Sequence, residues 1–292
     1  MFDIESYHKA DSVDEAIARL VQNSKAIPLA GGTDILVRLH QGNPDYRHVV
    51  DIHHVAELKK ISLEPDGTIV VGSGATFTDL IESRIITENI PVLVQGADSV
   101  GGPQVRNQAT VGGNLCNGAP SADIAAPLLV LNAVVELKGP QGKRRIPLPE
   151  FYQGPGQVDR EQTEIMTALR VAPDEYQCWV ASYYKYAMRD AMDIATIGCA
   201  AACLPQGKRV SALRLAFTVA GPTPLRCWKT EEKAQGAALD PSLLQLVGDS
   251  VLDDLRPRES WRAPKELRQQ IIKTLAQRVL AEALNQTGVS LS

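Results

Sequence analysis

The chain has 292 residues, of which 44% are hydrophobic and 22% are charged, a composition typical of globular proteins with room for about two domains. Thirty basic and thirty-four acidic side chains give a formal net charge of −4, without the positive excess that binding a nucleic-acid backbone requires. The longest uninterrupted apolar run, residues 125–131, is much shorter than the roughly 20 residues that span a bilayer. We therefore expect neither nucleic acid nor a membrane among its partners.

No pattern of export, disulfide bonding or metal binding is visible. Residues 1–5 lack the basic and apolar regions of a signal peptide. His53 and His54 are adjacent and would face opposite sides of a strand, so they could not hold one ion together. The cysteines are odd in number and form no CxxC pair: Cys116, Cys178, Cys199, Cys203 and Cys227. We expect a cytoplasmic protein that begins at Met1, keeps its thiols reduced and binds no metal itself.

The N-terminal part predicts helices and strands in alternation. The capping box at residues 12–15 opens a helix of about ten residues. Gly31 and Gly32 lie between a short apolar strand and a helix that begins near Ile35, so the predicted order is strand, glycine turn, helix. Strands are expected at residues 26–30, 48–52 and 68–71.

The middle of the chain is interrupted by a glycine-rich stretch. Residues 101–120 contain five glycines and three asparagines and have neither a helical nor a strand period, so they predict one long loop. A loop of this length inside a compact domain is usually functional. Helices are predicted from Thr76, at residues 92–100 and at 124–131, and strands at 133–137 and 164–171.

A break at residues 173–175 places the predicted domain boundary near residue 176, which divides the chain into residues 1–176 and 177–292. The apolar segment 193–202 predicts a helix or a strand, and its cysteines, which lie among alanines, are expected to pack in the core. Further strands are predicted at 182–187 and 211–220, and an amphipathic helix at 264–284.

The common catalytic signatures are absent from the sequence: it contains no GxSxG, no HExxH, no Walker A loop and no GxGxxG after a strand. Residues 72–74, Gly-Ser-Gly, come nearest to the last of these but lack the third glycine. We therefore predict no catalytic side chain.

Two glycine-containing segments are the candidates for a binding site. Residues 30–34 lie where free backbone amides at a helix start favour a phosphate, with a plain tight turn as the alternative. Residues 109–114 add more amides, the hydroxyl of Thr110 and the side chain of Asn114. Two such segments suit a bulky diphosphate cofactor. Asp123 offers a carboxylate to sugar or ribityl hydroxyls, or else caps the helix that follows it.

Motifs along nearly the whole chain resemble the sequences of one protein family. They lie at residues 29–34, 106–114, 119–123, 184–189, 193–195, 220–226 and 260–262. In this order and spacing they resemble the flavin-binding subunits of molybdenum-containing hydroxylases, closest to the bacterial xanthine dehydrogenase type.

The resemblance implies an α+β fold. A PCMH-type FAD-binding domain of two α/β subdomains would be followed by a smaller domain with a three-stranded antiparallel sheet and helices. FAD would lie extended in the cleft among them. Residues 27–34 would wrap the diphosphate, residues 109–114 would cover its other side, and Asp123 would lie beside the ribityl and ribose hydroxyls.

The resemblance also implies contacts to the isoalloxazine from the second domain, through Ile165 and the pair Tyr184-Lys185, with Lys185 a candidate partner of a flavin carbonyl. Asn117 stands where many relatives carry Thr or Ser. The cofactor-binding residues expected on this basis are Ile27, Pro28, Leu29, Ala30, Gly31, Gly32, Thr33, Asp34, Ala109, Thr110, Val111, Gly112, Gly113, Asn114, Asp123, Ile165, Tyr184 and Lys185.

By the same resemblance, this chain would be one of three in a complex active on purines. A partner subunit would hold the molybdenum cofactor and another the [2Fe-2S] clusters, from which electrons would reach FAD and then leave as a hydride to NAD+. Oxygen is the alternative acceptor. The sequence leaves two other readings open: a stand-alone flavin oxidase of related fold, often with FAD linked to His or Cys, and a non-catalytic assembly or nucleotide-binding module.

Overall fold

The computed structural model describes residues 3–286 and 288. Its first elements are β1 (Ser6–Lys9), α1 (Val13–Gln22), β2 (Ile27–Leu29), α2 (Ile35–His40) and β3 (His48–Asp51). The strands form a parallel sheet in the order β1-β3-β2, and α1 packs on it. Helix α1 has the predicted ten residues, and the hydroxyl of Ser12 caps it by accepting from the amide of Glu15.

A second subdomain follows, built on an antiparallel sheet. Its strands are β4 (Ile61–Leu63), β5 (Ile69–Gly72), β6 (Val134–Gly139), β7 (Gly142–Pro147) and β10 (Ile165–Val171), and β8 (Tyr152–Gly154) and β9 (Gln157–Val158) form a separate hairpin. The helices are α3 (Phe77–Glu82), α4 (Arg84–Asn89), α5 (Pro91–Asp98), α6 (Pro103–Arg106), α7 (Val111–Cys116), α8 (Ala125–Val130) and α9 (Leu148–Phe151). The sheet order is β4-β5-β10-β6-β7, and the sheet shares one hydrophobic core with α3, α5 and α8.

The C-terminal part forms a third sheet with three helices. Its elements are β11 (Val180–Tyr186), β12 (Ile197–Gln206), β13 (Arg209–Thr218), β14 (Leu225–Arg226), α10 (Trp228–Ala234), α11 (Pro241–Ser250) and α12 (Lys265–Asn285). Single 3₁₀ turns lie at Pro44–Tyr46, Ala56–Leu58, Pro173–Glu175 and Val251–Asp253. The sheet is antiparallel in the order β11-β12-β13-β14. It contains the three long strands that the resemblance implies, and the two-residue β14 adds a short fourth.

This third sheet is covered on both faces. Side chains alternate along β12, so Ala200 and Ala202 join the core of the second subdomain, whereas Cys199 and Cys203 join a second core with α11 and α12. The sheet therefore packs against α5 and α8 on one face and against α12 on the other. Both cysteines are fully buried, which confirms that they pack in the core.

The sequence-based prediction was wrong for the stretch 101–120, which contains the helices α6 and α7 rather than one long loop. These helices have four and six residues, too few to produce a recognisable helical period. Local signals begin both: Pro103 stands at the first position of α6, and Thr110 caps α7. The ambiguous segment 193–202 is loop as far as Thr196 and then strand β12.

In the part of the chain that the structure describes, no helix is both long and apolar enough to cross a membrane. Nor do three or more His, Cys, Asp or Glu side chains of these residues gather into a group that could hold a metal ion.

Candidate functional site

The two glycine segments lie against each other. A Cβ atom added to Gly31 would come within 2.0 Å of the carbonyl oxygen of Gln108 and 3.0 Å of the Cα of Ala109. Only glycine permits so close an approach between two backbones. Residues 30–34, called the first loop below, therefore touch the start of residues 109–114, called the second loop.

The first loop carries a run of unused backbone amides. The N–H groups of residues 31–34 lie outside helix and strand, and they take part in none of the hydrogen bonds among the described residues. Gly32 has a φ of +72°, in the left-handed region that favours glycine, and turns the chain from β2 toward α2. Successive amides in such a turn can form a concave site for an anion. The side chain of Asp34 is bound to Arg38 at 2.8 Å and does not cap α2.

Five of the six amides of the second loop are occupied, and that of Thr110 takes part in no hydrogen bond among the described residues. Those of Val111 and Gly112 donate to the carbonyl oxygens of Ala75 and Ser73, at 2.9 and 2.7 Å. The next two, at positions 113 and 114, donate to the hydroxyl and the carbonyl oxygen of Thr110. Apart from the amide of Thr110, the amides that this segment was predicted to add are therefore not free, because the start of α7 uses them for its own cap and its own docking.

Gly113 and Asn114 offer a ligand open space and an unused acceptor in the second loop. Gly113 is exposed, and a Cβ atom added there would have only the Thr110 hydroxyl within 4 Å. Asn114 Oδ1 is buried and, within the described part of the chain, has no hydrogen-bond partner. A buried acceptor without a partner is costly, so Asn114 is a place where a ligand donor would be favourable.

Asp123 lies at a junction between the two domains. Its carboxylate accepts from Lys185 Nζ at 2.8 Å and from the Tyr183 hydroxyl at 3.4 Å, and Lys185 also donates to the carbonyl oxygen of Ser99 at 2.9 Å. Asp123 and Lys185 are both largely buried. Burial raises the pKa of Asp123 from 3.8 to about 6, although the ammonium of Lys185 opposes the shift.

The helix-cap alternative for Asp123 was wrong. Residue Ile124 occupies the cap position of α8, and no side chain bonds to the first turn. The Asp123 carboxylate accepts instead from Tyr183 and Lys185, which lie on strand β11 of the C-terminal sheet.

The expected pair Tyr184-Lys185 is divided between the two faces of β11. Lys185 and Tyr183 reach Asp123, whereas Tyr184 is exposed and lies beside Arg278 of α12, 5.8 Å from the guanidinium to the ring centroid. Successive side chains of a strand face opposite sides, so Tyr184 and Lys185 cannot both face Asp123. Tyr183 was not among the predicted residues, and the alternation of a predicted strand is the signal that could have found it.

Ile165 is almost completely buried, at the start of β10. It belongs to the core of the first subdomain, where it packs with residues of α1, and Ala30 of the first loop lies against the same core. Ile165 thus lies in the N-terminal domain, in a hydrophobic core that the first loop borders, and not on the second domain. Residues 27–29 form the half-buried edge strand of the parallel sheet.

The segment 72–74 supports the second loop. Ser73 accepts from Gly112, and a Cβ atom added to Gly112 would lie 2.6 Å from that of Ser73. The Gly-Ser-Gly sequence is therefore a docking point between backbones rather than a phosphate loop of its own. A cavity of about 570 Å³ lies beside this region. Its lining, which includes His53, Thr76 and Asn107, contains none of the predicted cofactor residues.

Comparison with known proteins identifies the family. Residues 2–173 match the FAD binding domain in molybdopterin dehydrogenase, and residues 182–283 match the CO dehydrogenase flavoprotein C-terminal domain. The chain belongs to the FAD-binding subunits of the molybdenum hydroxylases. The resemblance of the sequence motifs to this family is thereby confirmed.

Full-length relatives of this FAD-binding subunit are similar throughout. The xanthine dehydrogenase FAD-binding subunit of Escherichia coli O157:H7 is 49% identical over 288 residues, which cover 99% of each chain. The carbon monoxide dehydrogenase medium chain of Hydrogenophaga pseudoflava is 33% identical over 281 residues, 95% of this chain and 96% of that one. A solved structure of carbon monoxide dehydrogenase from H. pseudoflava superimposes with a TM-score of 0.92 at 31% identity, over 98% of this chain and 99% of that chain.

The residues present suit FAD. Unused amides in the first loop provide donors for a diphosphate, and the orphaned oxygen of Asn114 provides an acceptor in the adjoining loop. The family match identifies this half of the chain as an FAD-binding domain.

Proposed function

We propose that this chain is the FAD-binding electron-transfer subunit of a xanthine dehydrogenase-like molybdenum hydroxylase complex. FAD held here would take electrons from [2Fe-2S] clusters of a partner subunit and pass them as a hydride to NAD+. The observation that carries the proposal is the run of four unused amides in the first loop. This loop lies against the second loop because residue 31 is a glycine, since a Cβ atom there would overlap the Gln108 carbonyl oxygen.

The chain's own contribution is binding and orientation. The first loop would donate its amides to the diphosphate, where anionic oxygens accept charge-assisted hydrogen bonds. Asn114 would accept from a hydroxyl or N–H of the cofactor. Ile165 would support the first loop through the hydrophobic core that Ala30 borders, and its predicted contact with the isoalloxazine is part of the proposal. The remaining predicted contacts of residues 27–30 and 109–112, and of Tyr184, are part of the same proposal.

Asp123 and Lys185 keep bonding capacity for the cofactor. A lysine ammonium has three donors, and Lys185 uses two of them, on Asp123 and on the carbonyl of Ser99. The third is available to a flavin carbonyl. The Asp123 carboxylate has more acceptor positions than its two present partners use, so it can also accept from ribityl or ribose hydroxyls.

The proposed partners are two further chains in the cytoplasm, one with the molybdenum cofactor and one with the [2Fe-2S] clusters. The names of the relatives, a FAD-binding subunit and a medium chain, describe components of larger enzymes. A purine such as xanthine or hypoxanthine would be oxidised in the molybdenum subunit, since no catalytic side chain was predicted in this one.

Isolation of the complex through a tag on this chain tests the proposal. We expect co-purifying molybdenum and iron, a flavin absorbance spectrum, FAD in the supernatant after acid precipitation, and bleaching of the flavin by NADH. A preparation without flavin would refute the proposal. Flavin that stays with the precipitated protein would favour the covalent flavin-oxidase alternative. If the flavin is reoxidised by oxygen but is not reduced by NADH, oxygen rather than NAD+ is the acceptor.

A further inference from the structure

Each of the three tryptophans lies over an arginine, but one pair differs from the others. The guanidinium carbons of Arg214, Arg226 and Arg262 lie 3.7, 4.2 and 4.3 Å from the ring centroids of Trp179, Trp228 and Trp261. Arg214 is paired with Glu175, and Arg226 is paired with Glu231. Arg262 has no carboxylate partner among the residues described.

Arg262 lies in a basic neighbourhood. Residues 256–268 contain five basic and two acidic side chains, in a chain whose net charge is −4. Neither Arg258 nor Arg268 forms an ion pair with any residue that the structure describes. Burial and the positive charges of Arg258 and Arg262 lower the pKa of Arg268, so the three guanidinium groups act on one another. Basic side chains thus outnumber acidic ones five to two in this segment.

One polar group and one apolar side chain of this segment lack partners. Arg262 Nε is buried and makes no hydrogen bond within the described chain. The Trp261 ring is 79% exposed, the highest value among the large hydrophobic side chains described, although Arg262 covers one of its faces. An open aromatic face beside uncompensated cations suits a planar, anionic ligand.

The turn that carries these residues is held in a fixed shape. Ser260 and Ala263 exchange two backbone hydrogen bonds of 3.2 Å. Arg268 donates to the Ser260 hydroxyl at 2.6 Å and to the carbonyl oxygen of Thr196 at 2.6 Å. A preorganised turn loses little conformational freedom on binding, which favours affinity.

The same contacts connect the turn to the candidate FAD site. Thr196 ends the segment between β11 and β12, and Met192 of that segment donates its amide to the carbonyl oxygen of Gly101 at 3.1 Å. Gly101 lies two residues after Ser99, whose carbonyl binds Lys185. Residues 192–196 therefore connect the Trp261 turn to the chain segment that contacts Lys185.

We propose that Trp261, Arg258 and Arg262 form the binding site for the adenylate half of the dinucleotide electron acceptor, with adenine on the open face of Trp261 and phosphate on the arginines. The proposal rests on the function proposed above, because it names where on this chain that acceptor binds. It leaves the nicotinamide half free to reach toward the flavin.

The test is equilibrium binding of AMP to the purified complex, because AMP carries the adenine and phosphate but does not react with flavin. We expect Trp261→Ala and Arg262→Met each to weaken AMP binding by about tenfold, the range measured for stacking and charged contacts. Trp228→Ala is the matched control, since it also removes an exposed tryptophan from an arginine, and it should bind AMP as the wild type does. The KM for NADH should rise with kcat unchanged in the first two variants.

The proposal is overturned if the wild-type complex fails to bind AMP, or if Trp261→Ala binds it with unchanged affinity. It is also overturned if Trp261→Ala releases a partner chain in gel filtration while AMP binding persists, because the turn would then be a protein interface. Flavin content, measured separately by absorbance, distinguishes failure of the proposed function, since AMP binding does not require bound FAD.

Discussion

Gly113 is the residue at which cofactor binding and folding can be separated most cleanly. The other glycines of the two loops are required by the fold: Gly31 and Gly112 touch neighbouring backbone, and Gly32 has a positive φ with Leu36 3.0 Å from its missing Cβ. Substitution at these positions would combine strain with any loss of binding. At Gly113 only the Thr110 hydroxyl is close, and the residue is exposed.

We predict that Gly113→Leu lowers the FAD content of the purified protein at least about tenfold, because its side chain would occupy the open side of the second loop. Gly113→Ala is the control, since it makes the same contact with Thr110 but adds only one methyl group, and it should retain most of the flavin. Released FAD is measured by absorbance, and thermal unfolding checks that both variants fold. A fully loaded Gly113→Leu protein would place the cofactor elsewhere.

Asp123 predicts a pH dependence with a definite sign. Its pKa of about 6 in the folded chain exceeds the ordinary value of 3.8, so the folded state holds the proton more tightly than the unfolded state does. The stabilisation that results is complete below pH 3.8 and is lost as the pH rises through about 6.

Urea unfolding of the flavin-free chain checks this prediction. The free energy of unfolding of the wild type, minus that of Asp123→Asn, should fall by about 2 kcal/mol between about pH 4 and pH 7. Asp66→Asn is the contrast, because hydrogen bonds from Thr68 lower the pKa of that exposed carboxyl, and its contribution should be constant in this range. A difference for Asp123→Asn that does not change with pH would contradict the burial of this carboxylate.

The contact between the two loops depends on the elements that hold each loop in place, and not on single residues alone. The first loop joins β2 to α2, and the second loop starts α7, so each is anchored to a different subdomain. The contact of Gly31 with Gln108 therefore joins the two subdomains at the predicted binding cleft.

We expect Gly31→Ala to separate the loops, because its Cβ would overlap the Gln108 carbonyl oxygen. The free energy of unfolding should fall by about 1–3 kcal/mol, the usual cost of overpacking, and FAD should be lost as well. Gly113→Ala again serves as the control, since it adds the same methyl group one loop away. Unfolding in urea and the flavin content give the two measurements, and a stable, flavin-loaded Gly31→Ala protein would contradict the described contact.

Sequence analysis succeeded best for elements with a long period or a strong cap. Helix α1 was predicted from its capping box, and α12 from its apolar stripe. It failed for α6 and α7, which are too short to show a period, and could not resolve β12, whose run of alanines and cysteines has no polar face because both faces are buried.

On the scale of the whole molecule, the two domains are not independent. Ala200, Ala202 and Ala216 of the C-terminal sheet belong to the same hydrophobic core as the sheet and helices of the N-terminal domain. The Asp123–Lys185 pair crosses the same boundary. A cofactor bound at this junction would contact both domains and so stabilise the chain as one unit.

We therefore predict that FAD raises the unfolding temperature of the flavin-free chain in a single transition. At a concentration of 100 times its Kd, FAD should add about 2.7 kcal/mol to the free energy of unfolding. Scanning calorimetry at several FAD concentrations measures the effect, and riboflavin, which lacks the diphosphate, is the control ligand. Equal stabilisation by riboflavin would argue against a role for the first-loop amides.

The sequence by itself determined the class of this protein: its glycine motifs and their order identified the family, and local capping signals located several helices, because both depend on neighbours along the chain. Tertiary structure alone decided which of those amides stay free, because the second loop uses its own in docking on Ser73 and Ala75. It also decided that Lys185, not Tyr184, faces Asp123, since the register of β11 against α5 and α8 sets which side of the strand points inward.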